Sequence, residues 1–348
     1  MESTYLPVIN KNASRIGLGT WAIGGWMWGG SIEQDSIDTI VKAVDLGVNL
    51  IDTAPVYGFG FSEEIVGKAL KKINNRSEVV ISTKCGLEWK DGKVFRNASR
   101  ERINKEVEDS LRRLQTDYID IYYVHWPDAL VSLEETGEAM YDLFKSGKIL
   151  SVGVSNFNTD QMLEFGSHSP IHFSQPPYNL FERQIEKEEL PYCLENNIFI
   201  MTYGAICRGL LSGKLNIKST FKGDDLRKSD PKFREPRFSQ YLTAVNKLNQ
   251  LAGDSYRKTV PELAIKWILQ KGVSIALLGA RTPEQLNIFK NLSGWKITNG
   301  DLKRIDDIIK ENIKDPVGPE FMAPPIRKRE SCEKIMCISF YTVIIQLA

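Results

Sequence analysis

Short apolar runs alternate along this chain with longer segments in which apolar and charged residues are mixed. Each run has the length of a strand that is buried on both faces. Eight such runs occur, at residues 15–18, 48–51, 79–83, 119–124, 149–154, 172–174, 198–202 and 273–278. The mixed segments, such as residues 97–114, have the spacing of amphipathic helices. The pattern therefore predicts alternating strands and helices.

Polar residues just before the mixed segments predict where helices begin. A Ser or Thr followed three residues later by Glu or Gln forms a capping box, in which each side chain satisfies the other's free backbone N–H. Segments 31–34, 132–135, 259–262 and 282–285 fit this pattern. Ser62 precedes two glutamates and predicts a further helix start, because acidic side chains are favourable near a helix N-terminus.

Eight strand–helix repeats within roughly 290 residues fit a (β/α)8 TIM barrel better than an open sheet. We expect residues 1–330 to form this single domain, with extra loops at the C-terminal mouth of the barrel. Residues 204–240 have no strand pattern, and a loop of that length inside a compact domain is often functional. Residues 331–348 are mostly apolar and are expected to be a disordered C-terminal extension.

Four chemically useful side chains follow the predicted strands. Asp52 directly follows the second run, with Tyr57 in the loop just beyond it, and Lys84 and His125 directly follow the third and fourth runs. In a parallel barrel these strand ends share one mouth. A tyrosine has a reference pKa of about 10, so a lysine held by an aspartate would help it to protonate a carbonyl oxygen. A neutral histidine could orient that carbonyl, but a hydride donor must be bound beside the set.

Composition narrows the choice of partners. The formal net charge of +1 predicts no general attraction to nucleic acid or to an anionic membrane. Five cysteines without C-x-x-C spacing favour a reduced, cytoplasmic setting, and residues 1–9 do not predict a secretory signal. Three histidines without ligand spacing predict no metal site. We expect a small carbonyl substrate and a monomer or weak homo-oligomer.

Several of these residues stand in motifs that resemble those of the aldo-keto reductases. The motifs occur at residues 50–58, 83–84, 124–128, 153–157 and 278–281, in the order that the family uses. Segments 175–183 and 207–211 resemble most closely the bacterial general-stress group of that family. The resemblance covers residues from about 15 to about 325.

The resemblance implies a barrel reductase that binds NADPH in an extended conformation across its mouth, without a Rossmann domain. Hydride would pass to an aldehyde or ketone, with Tyr57 as the proton donor and with Asp52, Lys84 and His125 completing a catalytic tetrad. Three tryptophans are expected in the substrate pocket: Trp21, Trp89 and Trp126.

The resemblance also implies where NADPH is held. Ser155, Asn156 and Gln175 would bind the nicotinamide carboxamide, and Tyr203 would stack on the nicotinamide ring. Arg281 would favour the 2′-phosphate, so NADPH is expected over NADH. The other implied cofactor contacts are Thr20, Trp21, Arg208, Leu210, Gly213, Lys214, Arg227, Gly279 and Gln285. Relatives often have Asn where this chain has Phe289.

Other interpretations stay open. Residues 17–22 fit a loose G-x-G-x-x-A fingerprint, but bulky Trp21 and the Gly-Gly-Trp sequence that follows do not open a helix. A cofactor-sensing regulatory module is the main rival, because potassium-channel β subunits are similar to this family and sense cofactor state. A metal-dependent barrel hydrolase would need ligands that this sequence lacks.

Overall fold

Eight parallel strands close into a barrel in the computed structural model, which describes residues 1–327. Over these residues the strands are β1 (Ser3–Leu6), β2 (Lys11–Ser14), β3 (Ile16–Gly19), β4 (Leu50–Asp52), β5 (Val80–Cys85), β6 (Leu87–Lys90), β7 (Lys93–Arg96), β8 (Ile121–Val124), β9 (Val152–Ser155), β10 (Phe173–Gln175), β11 (Phe199–Thr202) and β12 (Ile275–Gly279). Around the barrel the order is β3, β4, β5, β8, β9, β10, β11 and β12, and β12 pairs with β3. All eight predicted strands and the predicted TIM-barrel fold are therefore confirmed.

Helices fill the connections between the barrel strands. They are α1 (Glu33–Asp45), α2 (Phe61–Ile73), α3 (Arg100–Leu114), α4 (Leu133–Lys145), α5 (Thr159–Gly166), α6 (Glu189–Glu195), α7 (Arg237–Tyr256), α8 (Val260–Gln270) and α9 (Asn299–Asn312). Of the helices within residues 1–327, none has both the length and the hydropathy that a membrane crossing needs.

Burial on both faces explains why the strands appear as continuous apolar runs. In β4 and β5, Leu50 and Val80 point into the barrel, where Tyr123 and Phe173 help to fill the interior. Alternate residues such as Ile51 contribute to the outer core against the helices. Successive strand residues face opposite sides, so both sides of each barrel strand must be apolar.

The predicted helix starts are partly right. Ser132 caps α4 by accepting the backbone N–H of Glu135 (3.1 Å). Thr259 is the N-cap of α8, and its backbone N–H donates to the Glu262 carboxylate (2.7 Å). The predicted cap at Ser62 is wrong, because α2 already begins at Phe61, and the Ser62 hydroxyl is buried inside the helix–barrel contact.

Two predicted capping boxes are also wrong. Ser31 precedes the N-cap of α1, and its hydroxyl donates to the carbonyl of Ile23 (2.7 Å). Thr282 precedes a 3₁₀ helix, Pro283–Asn291, and its side chain makes no cap hydrogen bond there. Gln285 accepts instead from the backbone N–H of Arg281 (2.8 Å). Ser31 is thus held by the turn after β3, and Gln285 by the backbone that precedes its own helix, and neither takes part in the predicted box.

Two hairpins close the ends of the barrel, and neither was predicted. β1 and β2 pair antiparallel and place Leu6 and Ala13 in the barrel interior at its N-terminal end. β6 and β7 form a second antiparallel hairpin, which we call the mouth hairpin, just after β5.

Two further segments border the C-terminal mouth. The first, residues 204–236, contains short 3₁₀ helices and is called the excursion; the predicted loop was slightly too long, because α7 begins at Arg237. The second, residues 319–326, follows α9 and is called the strap. The predicted extension 331–348 lies outside the described residues.

Candidate active site

A buried lysine–aspartate pair lies at the mouth of the barrel. Lys84 Nζ donates to both carboxylate oxygens of Asp52 (2.9 and 2.8 Å) and to the carbonyl of Thr53 (2.9 Å). Lys84 is 1% exposed and Asp52 is 3% exposed. Burial lowers the pKa of Lys84, and the adjacent Asp52 carboxylate opposes that change. All three ammonium protons therefore have acceptors that hold the side chain in place.

Tyr57 lies beside this pair. The Lys84 Nζ atom is 5.1 Å from the centre of the Tyr57 ring, and the Tyr57 and His125 rings are 5.9 Å apart at an angle of 81°. Burial, followed by the negative charge of Asp52, raises the pKa of Tyr57 well above its usual value. Tyr57 thus keeps its proton at neutral pH, as a proton donor must.

His125 contributes a neutral imidazole. Burial, together with the nearby Lys84 ammonium, lowers the pKa of His125 well below its usual value. A neutral ring can donate from one nitrogen only. The structure therefore brings the four predicted catalytic residues together, with Tyr57 and His125 in protonation states suited to donating hydrogen bonds to a carbonyl oxygen.

Close backbone packing positions Tyr57. A Cβ built on Gly24 would lie 2.6 Å from the Tyr57 carbonyl carbon, and one built on Gly58 would overlap the Gly24 carbonyl oxygen. Gly58 also has a φ of +69°. The turn after β3 and the turn after β4 can approach this closely only because both positions are glycine.

A cavity of about 340 Å³ opens above the tetrad. Tyr57 and His125 lie in its wall, and most of the remaining wall is apolar. Trp21 and Trp126 line it as predicted. Trp89, on the mouth hairpin, does not line the cavity, because its ring packs against Phe59 with the ring centres 5.7 Å apart. The predicted pocket role of Trp89 is therefore not supported.

A groove of about 220 Å³ adjoins this cavity, and Trp21, Tyr57, Tyr203 and Met322 line both. Its wall includes most residues that the resemblance implied for the outer part of the cofactor: Arg208, Arg227, Gly279, Arg281 and Gln285. The predicted carboxamide ligands Ser155, Asn156 and Gln175 line the cavity near the junction.

Protein contacts hold the predicted carboxamide ligands. Asn156 donates to the His125 carbonyl (2.9 Å) and accepts from the Tyr203 hydroxyl (2.8 Å). The Ser155 hydroxyl donates to the Gln175 carbonyl (2.7 Å). Gln175 Nε2 donates to Asp52 Oδ1 (2.8 Å), which links this cluster directly to the tetrad.

Four predicted cofactor residues line neither space. Thr20 is buried, and its hydroxyl donates to the Asp52 carbonyl (2.9 Å). Leu210 packs in the hydrophobic core. Gly213 and Lys214 lie beyond the groove wall. Side-chain contacts from these residues to a cofactor are not supported by the geometry.

Arg208 is placed differently from the prediction. It borders the groove, but its guanidinium N–H groups donate to Asp230 and Glu182, so the side chain is committed to buried carboxylates. Arg281 is paired with no carboxylate among residues 1–327, and its Nη1 donates to the Trp28 carbonyl (3.0 Å). Phe289, in place of the family's Asn, is buried in the core.

The groove has features that fit an extended dinucleotide. The indole N–H groups of Trp21 and Trp28 are buried and have no hydrogen-bond partner within the described residues, and both side chains line the groove. Buried donors without acceptors are costly, and a bound polar ligand would satisfy them. Arg281 supplies a cation in the same groove.

Sequence reasoning missed the strap. Phe321, Met322, Ala323, Pro324 and Pro325 line the cavity opposite the barrel strands. Arg96 of the mouth hairpin holds this segment by donating from its backbone N–H to the Pro325 carbonyl (3.1 Å) and from Nε to the Pro324 carbonyl (2.9 Å). The only local signal was an apolar, proline-rich segment following a polar helix.

Comparison with known proteins gives a family for this arrangement. The family model described as "Aldo/keto reductase family" matches residues 15–310, which include every strand of the barrel. The chain belongs to the aldo/keto reductase family. It is therefore an oxidoreductase of a family that uses nicotinamide cofactors, and the resemblance seen in the motifs is confirmed.

Two curated relatives extend over nearly the whole chain. Aldo-keto reductase YhdN of Bacillus subtilis (strain 168) is 56% identical over 329 residues, which cover 94% of this chain and 99% of the relative. The NADH-specific methylglyoxal reductase of Escherichia coli (strain K12) is 38% identical, covering 86% of this chain and 95% of the relative.

Solved structures give the same family and fold. The glycerol dehydrogenase AKR11B4 from Gluconobacter oxydans has a TM-score of 0.84 and 46% identity, covering 92% of this chain and 99% of that structure. Aldo-keto reductase AKR11C1 from Bacillus halodurans, in its holo form, has a TM-score of 0.74 and 26% identity, covering 90% and 98%.

Proposed function

We propose that this reductase uses NADPH to reduce aldehydes and ketones to alcohols, with Tyr57 as the general acid. The observation that carries the proposal is the buried Lys84–Asp52 pair beside protonated Tyr57 and neutral His125, at the base of a cavity that adjoins a cation-bearing groove. When bound, the cofactor supplies the hydride for the carbonyl carbon.

The residues around the cavity divide the remaining work. Tyr57 gives its proton to the carbonyl oxygen as negative charge develops there, and His125 donates a hydrogen bond to the same oxygen. Lys84 stabilises the phenolate that Tyr57 becomes, and Asp52 holds Lys84 in place. Apolar side chains exclude bulk water and so strengthen these interactions.

Ser155, Asn156 and Gln175 are proposed to orient the nicotinamide amide, and Tyr203 to pack on the ring. Each lies in the cavity wall near the groove, as such a role requires. The Gln175 amide would then have two roles, a hydrogen bond to the cofactor and the hydrogen bond to Asp52.

The preference for NADPH over NADH rests on Arg281, which lines the groove and forms no salt bridge with a carboxylate among the described residues. A guanidinium suits the two negative charges of a 2′-phosphate. The relative in Escherichia coli is named NADH-specific, so the preference must be measured for this chain. The cytoplasmic setting and the general-stress role also stay predictions.

Loss of NADPH absorbance with a panel of small aldehydes tests the function. The native chain is expected to turn over, and Tyr57→Phe is expected to bind NADPH while losing turnover at matched cofactor occupancy. Tight NADPH binding by the native chain without turnover would instead favour the cofactor-sensing module. Equal turnover in Tyr57→Phe would reject Tyr57 as the proton donor.

A further inference from the structure

Four charged side chains are buried together at the edge of the barrel mouth, outside the tetrad. Glu182, Asp230 and Lys232 are 0% exposed, and Arg208 is 5% exposed. Arg208 Nε lies 2.7 Å from Asp230 Oδ2, and Lys232 Nζ lies 2.8 Å from Glu182 Oε1. Arg208 also pairs with Glu182. Two carboxylates and two cations therefore neutralise each other, and we call them the buried ion cluster.

The pairing is strong enough to keep Glu182 ionised. Burial alone would raise the pKa of Glu182, but the positive charges of Arg208 and Lys232 outweigh it, and the pKa lies below its usual value. Buried ion pairs usually contribute little net stability compared with apolar residues of the same volume. We therefore consider which segments of the chain the buried ion cluster holds together.

The buried ion cluster joins three separate segments of the chain: the segment after β10, the excursion and the residues just before the strap. Glu182 follows β10, and Arg208 follows β11 at the edge of the groove. Asp230 and Lys232 come from the excursion. Lys232 Nζ also donates to the carbonyl of Gly318, directly before the strap (2.9 Å). The buried ion cluster thus links the segment that borders the cofactor groove to the segment that borders the substrate cavity.

Arg208 connects the groove to the part of the strap that lines the substrate cavity. It lines the groove, and its guanidinium carbon lies 5.3 Å from the centre of the Phe321 ring, within the range of a cation–π interaction. Its Nη1 lies 3.9 Å from Met322 Sδ. Phe321 lines only the substrate cavity, whereas Met322 lines both spaces.

We propose that the buried ion cluster is a positioning unit that couples cofactor binding to the placement of the strap over the substrate cavity. Arg208 borders the groove, so a cofactor bound there acts on the position of Arg208, and Arg208 acts in turn on the positions of Phe321 and Met322. The coupling is reciprocal. If bound cofactor stabilises the strap over the cavity, then a strap held in that position must raise the affinity for the cofactor by the same factor. This inference rests on the proposed function of the two spaces.

The test is the affinity of the full-length Phe321→Ala variant for NADPH, measured without aldehyde by quenching of tryptophan fluorescence. Phe321 does not line the groove, so a purely local role in the substrate cavity predicts an unchanged dissociation constant. Coupling predicts a dissociation constant at least about fivefold higher, together with a higher KM for an aldehyde. Phe321→Tyr, which keeps the ring over Arg208, should restore both values.

Val94→Ala is the matched control. Val94 lines the same cavity from the mouth hairpin and packs against Ala54, Val56 and Leu87. Its KM should rise, while its dissociation constant for NADPH stays within about twofold of the native value. A native dissociation constant in Phe321→Ala would overturn the coupling.

Hydrogen exchange provides a second readout that needs no catalysis. Saturating NADPH should slow exchange in peptides spanning residues 317–327 of the native chain, and should slow it less in Phe321→Ala. Equal slowing in both proteins would also contradict the coupling. Failure of the native chain to bind NADPH would instead reject the proposed function, so the two failures are distinguishable.

Discussion

Gln175 and Asp52 are joined by a hydrogen bond of 2.8 Å from the amide Nε2 to the carboxylate Oδ1. The same carboxylate oxygen accepts from Lys84 and from the Ser82 hydroxyl. Gln175 therefore supports the charged pair from the far side of the barrel, in addition to its proposed contact with nicotinamide.

Gln175→Leu should lower kcat by about tenfold to a hundredfold, because a hydrogen bond to a charged group is worth about 1.5–3 kcal/mol. Steady-state kinetics at saturating NADPH measures this effect. Gln161→Leu is the control, since its amide only closes the capping box of α5; it should lower the melting temperature and leave kcat unchanged. Native kcat in Gln175→Leu would show that Asp52 needs no such support.

Gly58→Ala should reduce kcat by at least about a hundredfold while the barrel still folds. A Cβ there overlaps the Gly24 carbonyl and forces Tyr57 to move, and displacements of about 1 Å at a reacting group cost this much. Circular dichroism and kinetics measure fold and rate separately. Gly92→Ala also replaces a positive-φ glycine, but nothing lies within 4 Å of its Cβ, so a similar loss there would reject the steric explanation.

Arg281→Ala should weaken NADPH binding by about 1–3 kcal/mol, the worth of a charged hydrogen bond, with little effect on NADH. Dissociation constants for both cofactors measure this difference. Arg304→Ala removes an arginine paired with Asp301 on α9 and should change neither value. Equal losses for NADPH and NADH in Arg281→Ala would remove the 2′-phosphate role.

Apolar aldehydes should be better substrates than polyhydroxylated ones. Most of the cavity wall beyond Tyr57 and His125 is apolar, and each hydroxyl buried without a partner costs about 1–3 kcal/mol. We expect kcat/KM for hexanal to exceed that for glyceraldehyde by at least about tenfold. The reverse order would mean that the strap or the mouth hairpin moves aside to admit water or polar partners.

Glu106 should make stability depend on pH. Burial is the main reason why its pKa rises to about 7 from the usual 4.5, despite the nearby Arg102. Between these values the folded chain holds a proton that the unfolded chain releases, so this stability is complete below about pH 4.5 and is lost as pH rises to about 7. The shift corresponds to about 3 kcal/mol.

Thermal unfolding of the native chain and of Glu106→Gln across this range measures the effect. The native melting temperature should fall relative to that of Glu106→Gln as pH rises. Glu108→Gln alters an exposed glutamate on the same helix that pairs with Lys148, and it should give a pH-independent difference. A pH-independent difference for Glu106→Gln as well would contradict the raised pKa.

Local signals explain which predictions succeeded. The eight strands were found because a strand buried on both faces is a short apolar run, and the helix starts at Ser132 and Thr259 were found because their caps are formed within three residues. Ser31 and Ser62 show the same local pattern but bond to Ile23 and Thr20, which the pattern could not reveal.

The tetrad lies between these cases. The barrel topology brings strand ends to one mouth, so Asp52, Tyr57, Lys84 and His125 could be grouped from the order of the runs alone. Their protonation states depend on burial and on neighbouring charges, which only the packed structure supplies. Trp89 shows what strand order cannot predict. It follows a barrel strand close to the mouth, but its side chain packs on Phe59 and does not line the cavity.

The amino-acid sequence alone thus specifies the strand count, the barrel and the residue types at the strand ends, because these depend on spacing along the chain. The tertiary structure decides what closes the mouth: Arg96 reaches the strap at Pro325, and Arg208 reaches Phe321. These partners are more than a hundred residues apart, and no local propensity encodes a contact at that separation.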